Sequence, residues 1–172
     1  TLINGPTGVL SPAQYASNAI DIDGADDYIT IPANPAYDVA TGTVEFWARP
    51  NALAVGNNMC MLGVRGTGGS RYSFHITPDN IGFWNGSNFY TFASSFAAGT
   101  WYHFAFVCNG SETLIHINGQ EVGSFSALFG SGNGQPLIIG RVIEATQFEP
   151  FNGAIDEVRL WNVMRSEAEI QA

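Results

Sequence analysis

Four aspartates, Asp21, Asp23, Asp26 and Asp27, fall within seven residues around Gly24. A second carboxylate pair, Asp156-Glu157, lies near the far end of the chain, inside the strand-like run FNGAIDEVRLWN. Adjacent acids inside a half-buried strand need a cation or a ring of hydrogen-bond donors as partner. Oxygen donors of this kind are what calcium takes, roughly six to eight at a time. Organic cations are scarce: fifteen acids stand against six arginines and no lysine, for a net charge of -9. The competing readings are that Asp26 and Asp27 cap a turn, that Asp156-Glu157 pairs with Arg159 or another arginine, and that acidity serves solubility.

A second constellation has the composition of a sugar platform, in which an exposed aromatic stacks on the ring while amides take the hydroxyls. The segment IGFWNGSNFYTF (81–92) offers Trp84, Asn85, Asn88, Phe89 and Tyr90 around a tight turn, with Arg71 and Tyr72 just upstream. A sandwich core also needs Trp and Phe, and strand alternation turns half of these inward. Phe129 in the loop 126–135 and Phe148 in the loop 143–151 stand at loop tips, available for contacts or folded down as lids.

Of the three histidines, His103 reads as a hydrogen-bonded structural residue, and His75 and His116 lie in strands without a metal-spaced partner. The chain has no GxSxG, no HExxH and no phosphate loop ending in Lys. Its acidity excludes phosphate-backbone binding, which needs clustered Lys and Arg.

These residues need a scaffold, and the chain spells an all-β one. TVEFWARP alternates Val44, Phe46 and Ala48 against Glu45, Trp47 and Arg49; MCMLGV, RYSFHIT, IGFWNG, NFYTFA, ETLIHING, QEVGSF and PLIIGRV follow at close spacing. WYHFAFVCN is apolar on both faces and reads as a central strand. Asn-Gly, which favours two-residue hairpin turns, occurs six times. About ten to fourteen strands with frequent turn signals imply a two-sheet sandwich or jelly roll. Within FNGAIDEVRLWN the apolar phase slips by one residue across Asp156-Glu157, which predicts a β-bulge. Ser166 to Glu169 has capping-box spacing and predicts one short terminal helix. Residues 1–17 read as an arm or edge segment and 18–172 as one domain, with Thr1 a processed or excised N-terminus. No apolar run approaches the roughly 18 residues of a spanning helix. Cys60 and Cys108, both in strand-like runs, are either a pair or two buried thiols.

In order, IDIDGADDYITIP, TVEFWARP, WYHFAFVCNGSETLIHINGQEV, PLIIGR and FNGAIDEVRLWNVMRSEAEI resemble a concanavalin A-like lectin/glucanase domain of the laminin-G type, over roughly residues 18–171. The resemblance implies an antiparallel jelly roll, usually non-catalytic, binding carbohydrate or protein and often holding calcium at one edge. It makes Asp23, Asp26, Asp27 and Asp156 the candidate calcium ligands. Glucanases on this fold carry an ExDxxE strand, which this sequence lacks, so no enzyme is expected.

The function implied is a lectin-like, calcium-supported adhesion module at an extracellular, cell or virion surface. Its candidate ligand contacts are Arg71, Tyr72, Trp84, Asn85, Asn88 and Tyr90, its partner is a glycan or surface protein, and neither nucleic acid nor membrane insertion is involved. The alternative is a structural or decoration module of a virion, as in a phage capsid or tail, or of a cell-surface assembly. Such a module would pack on neighbouring subunits through sandwich edges and the N-terminal arm.

Overall fold

A computed structural model of the chain describes residues 2–3, 7–9, 18–37, 40–54, 56–66, 69–130, 134–143 and 148–171, without the side chains of residues 2, 7–9, 66 and 69–71. The strands are β1 (Leu2–Ile3), β2 (Thr7–Val9), β3 (Ala19–Asp23), β4 (Tyr28–Ile31), β5 (Gly42–Pro50), β6 (Met59–Gly66) and β7 (Gly69–Ile76). They continue with β8 (Asn80–Trp84), β9 (Phe89–Ala93), β10 (Tyr102–Cys108), β11 (Thr113–Ile117), β12 (Gln120–Phe125), β13 (Leu137–Ile139) and β14 (Asn152–Trp161). A 3-10 turn covers Pro35–Tyr37, and the terminal helix α1 covers Glu167–Ile170.

Among the described residues two seven-stranded sheets form, in the orders β1-β4-β13-β6-β7-β8-β9 and β12-β11-β10-β5-β14-β3-β2. Every described pairing is antiparallel. The N-terminal segment supplies an edge strand to each sheet, with Leu2 opposite Ile29 and Thr7 opposite Asp21. Residues 4–6 and 10–17 of that arm lie outside the described residues.

Period-2 alternation builds the core between the sheets. Val44, Phe46 and Ala48 of β5 are fully buried, as are Tyr72, Phe74 and Ile76 of β7 and Phe104 and Phe106 of β10. The rings of Phe74 and Phe106 stack across the two sheets with centroids 3.8 Å apart. β10 is apolar on its second face because α1 lies there: Ala105 and Val107 form a separate buried cluster with Ile170. The helix opens as its spacing predicts, with the Glu169 carboxylate accepting from both the N–H and the O–H of Ser166 at 2.8 Å. Asn118-Gly119 joins β11 to β12 with both φ angles positive, as a tight hairpin turn requires.

The bulge in β14 lies where the sequence phase slips. Asp156 pairs with Trp47 and Arg159 with Glu45, so three steps on β14 match two on β5. Glu157 absorbs the extra residue at φ 50. Cys60 and Cys108 are buried free thiols on different sheets. Among the described residues no helix is long and apolar enough to cross a membrane.

Candidate functional site

The turn from β3 to β4 gathers Asp23, Asp26 and Asp27, whose carboxylates each place an oxygen within 4.8 Å of the others. Gly24 makes the turn possible at φ +77, because a Cβ there would stand 2.6 Å from the Asn152 Cβ. The pairing of Asn152 with Asp23 holds the start of β14 against the acidic turn. Asp23 Oδ1 accepts the Ala25 N–H at 2.8 Å, while Asp27 Oδ2 accepts the Asp23 N–H at 3.4 Å. Asp27 is buried, and its Oδ1 has no hydrogen-bond partner among the described residues. Burial pushes the Asp27 carboxyl above its usual range, the charges of Asp23, Asp26 and Asp21 add to that, and the Asp23 N–H opposes it. An orphaned buried carboxylate oxygen beside two more carboxylates is a donor set that fits a hard divalent cation.

Next to this turn, at the same end of the sandwich, lies a cleft of about 670 Å³. Three segments close it: Gly24 of the acidic turn, residues 52–54 and 56–59 leading from β5 into β6, and residues 148–150 with Asn152 at the start of β14. Backbone bonds fix these segments together: Asn51 N–H to Asn152 O at 2.9 Å, Cys60 N–H to Glu149 O at 2.9 Å and Phe151 N–H to Gly140 O at 2.8 Å. Its polar lining is Asn57, Asn58, Asn152 and Glu149. Phe148 lines the rim and is 56% exposed. The Arg141 guanidinium lies 4.4 Å from its ring centroid and 5.1 Å from that of Tyr28, so the Phe148 ring is held in place by a cation stacked behind it.

Glu149 is held from below by a buried polar relay on β6 and β7. Arg65 Nη1 donates to Ser73 Oγ at 3.2 Å, and Ser73 Oγ lies 2.7 Å from His75 Nε2. His75 Nδ1 lies 3.1 Å from Glu149 Oε2. In the tautomer that carries its hydrogen on Nδ1, facing the carboxylate, Nε2 accepts from the Ser73 hydroxyl while Ser73 Oγ accepts from Arg65. Both atoms are buried, and neither has a hydrogen-bond partner among the described residues, so their 3.1 Å approach is the contact each has. Burial keeps His75 below its ordinary 6.5, against the pull of Glu149. Burial pushes Glu149 upward, but hydrogen bonding and charge from His75, with Arg65 and Asn58, bring it below its ordinary 4.5. Serine, histidine and carboxylate in this order are the parts of an acyl-transfer triad. Here Ser73 is fully buried and its hydroxyl is engaged by both Arg65 and His75, so no substrate carbonyl can approach it.

Residues 23–171 match the family model Laminin_G_3, described as the concanavalin A-like lectin/glucanases superfamily. The chain belongs to that superfamily. No curated protein matches the chain. Among solved structures it is similar to domain 4 of AbnA, a GH43 extracellular arabinanase from Geobacillus stearothermophilus, in complex with arabinotriose. That similarity has 21% identity and a TM-score of 0.74, and covers 97% of this chain and 81% of the other. It is similar also to the binding domain of Paraclostridial mosquitocidal protein 1, at 17% identity and a TM-score of 0.75, over 99% of this chain and 46% of that one. A third is the binding domain of botulinum neurotoxin DC in complex with SialylT, at 12% identity and a TM-score of 0.71, covering 96% of this chain and 43% of the other. The chain thus spans less than half of either toxin domain's length.

Within this lectin-type sandwich the predicted residues are only partly gathered. Asp23, Asp26 and Asp27 cluster, but Asp156 stands apart from them. Asn152 pairs with Asp23, and Asp156 lies four residues further along β14, opposite Trp47, about 13 Å away at strand rise. Glu157 pairs with Arg159, which also approaches Glu45 at 3.6 Å.

The expected sugar platform is also only partly gathered, with Trp84, Asn85 and Asn88 together at the β8–β9 turn and Tyr72 away from them. Tyr72 is fully buried and packs its ring on Phe74 and Phe129 in the core, because β7 turns its even positions inward. Trp84 is half-buried with Arg65 over its ring at 5.2 Å, and Tyr90 is half-buried against Phe83. Asn85 spends its Oδ1 on the N–H groups of Ser87 and Asn88 within the turn, Asn88 is exposed, and the Arg71 side chain lies outside the described residues. Of the two loop-tip aromatics, Phe129 folds into the core and Phe148 stays out. His103 is structural, stacked on Trp47 with centroids 5.1 Å apart. The amides of the cleft carried a faint signal in sequence, the adjacent Asn57-Asn58 pair in a turn-rich loop and Phe148 beside Glu149.

Proposed function

We propose that this domain is a non-enzymatic glycan-binding module. Its ligand lies in the cleft of Asn57, Asn58, Phe148, Glu149 and Asn152, beside a calcium ion held by Asp23, Asp26 and Asp27. The observation that carries this reading is the cleft itself: a fixed exposed aromatic faces a row of amides and one carboxylate, directly against the acidic turn. An aromatic face suits the C–H side of a sugar ring, and amides both donate to and accept from its hydroxyls. The arabinotriose complex of the arabinanase domain and the SialylT complex of the toxin domain support glycan binding on this fold. The ion would supply a fixed positive charge that neutralises the turn and satisfies Asp27 Oδ1. The closed Ser73–His75–Glu149 relay supports a non-catalytic role, and a surface or extracellular setting follows from the ligand class.

The test is a glycan array that includes arabinotriose, run with millimolar calcium and again with chelator, with melting followed in parallel. Selective binding weakened by chelator supports the reading, and no binding to any glycan overturns it. The second reading, a packing module of a virion or surface assembly, rests on Val163 and Met164, adjacent apolar residues each 55% exposed. Calcium-dependent melting with no glycan bound would favour it.

A further inference from the structure

The electrostatics of the cleft sort glycans by charge. Its described lining contains one ionisable side chain, Glu149, and no arginine. Oε2 of that carboxylate is sealed against His75, and the Asn58 side chain hydrogen-bonds to the group, so the charge is fixed in position and held ionised. The adjoining wall is the turn of Asp23, Asp26 and Asp27, and three carboxylates outweigh one divalent ion. The arginines in the neighbourhood lie outside the cleft lining. Arg141 is stacked between Tyr28 and Phe148, and Arg49 Nη2 lies 3.9 Å from Asp21 Oδ1 and within hydrogen-bond reach of Asn51. The remaining polar groups, the amides of Asn57, Asn58 and Asn152, are neutral and suit hydroxyls.

We propose, resting on the glycan-binding reading above, that the cleft takes neutral glycans and discriminates against acidic ones, those carrying sialic or uronic acid. An anionic sugar would bring a carboxylate towards Glu149 and the acidic turn without a described cation in the lining to receive it. Like charges a few ångströms apart in a partly desolvated cleft repel strongly enough to shift affinity by about tenfold or more. Glu149 is the specificity residue, and His75, through Ser73 and Arg65, is its positioning residue.

The experiment is calorimetric titration at low salt with matched pairs, lactose against sialylated lactose and arabinotriose against a uronic trisaccharide. The proteins are the parent, Glu149→Gln and Phe148→Ala, with melting measured to confirm that each variant is folded. The expected result is that the parent binds the neutral member at least about tenfold more tightly. Glu149→Gln should narrow that gap, and raising the salt should narrow it in the parent. Phe148→Ala should weaken both members together. Equal or tighter binding of the acidic member would overturn the charge selection while leaving the glycan-binding reading standing. A gap unchanged in Glu149→Gln would overturn the assignment to Glu149. Failure of every sugar to bind the folded parent would overturn the underlying reading, and the selection with it.

Discussion

Two residues concentrate the proposed function, and their substitution should separate binding from folding. Phe148 is exposed yet held by Arg141, so its ring is available to the proposed ligand and contributes little to the core. Phe148→Ala should lower glycan affinity by about tenfold, the scale of one aromatic contact, while stability changes by less than about 0.5 kcal/mol. Calorimetric titration and thermal melting check the two halves. Asp27 works in the opposite direction. Its buried carboxyl is shifted above its ordinary 3.8, so its ionised form weakens the fold without calcium. That contribution to stability is fully present below pH 3.8 and lost as pH rises through the shifted value. Asp27→Asn should therefore melt higher than the parent in chelator, and the rise in melting temperature on adding calcium should vanish. Calcium affinity in the parent should fall as pH drops through the raised Asp27 value, where protons compete for the carboxylate. An unchanged calcium response in Asp27→Asn would remove this residue from the ion's shell.

At the scale of elements, the β14 bulge is a built feature with a local energetic signature. Glu157 sits at φ 50, a conformation L side chains adopt at a cost and β-branched ones most of all. Glu157→Gly should be neutral or stabilising, while Glu157→Val should cost about 1–2 kcal/mol. Equal melting of the two variants would place the strain elsewhere. This bulge, the strands and the helix cap were legible in sequence because each is written in neighbouring residues: a one-residue phase slip, alternation, Asn-Gly turns, Ser and Glu three apart. The site was legible only where it is equally local, as in the acidic turn. The cleft joins segments near residues 24, 56 and 150, and no short-range pattern states that they meet. Tyr72 was misplaced for a related reason, since alternation in RYSFHIT shows two faces without saying which one the other sheet covers. The same ambiguity hid Ser73 and His75, which lie on the outward side of β7 and are nevertheless buried, in contact with Arg65 and Glu149.

For the whole molecule, the buried histidines set the acid limit of the fold. Burial lowers His75, His103 and His116 alike below the ordinary 6.5. Their contribution to stability is fully present above pH 6.5 and is lost as pH falls through the depressed values, because the unfolded chain takes up protons first. Glu149, also lowered, adds a loss that begins below its ordinary 4.5. The melting temperature in chelator should be level above pH 6.5 and decline steadily below it, and His75→Gln should flatten part of that decline. A melting temperature that held level to pH 5 would contradict this. The central claim, that one end of a superfamily sandwich joins an ion site to a sugar cleft, has a direct test in amide shift mapping by nuclear magnetic resonance. The titrant is a neutral glycan that binds on the array, added in calcium. The account expects the largest shifts at Asn57, Asn58, Glu149 and Asn152, with smaller ones across Asp23 to Asp27. Shifts centred on the Trp84 to Asn88 turn, or on the face around Trp47 and His103, would contradict it.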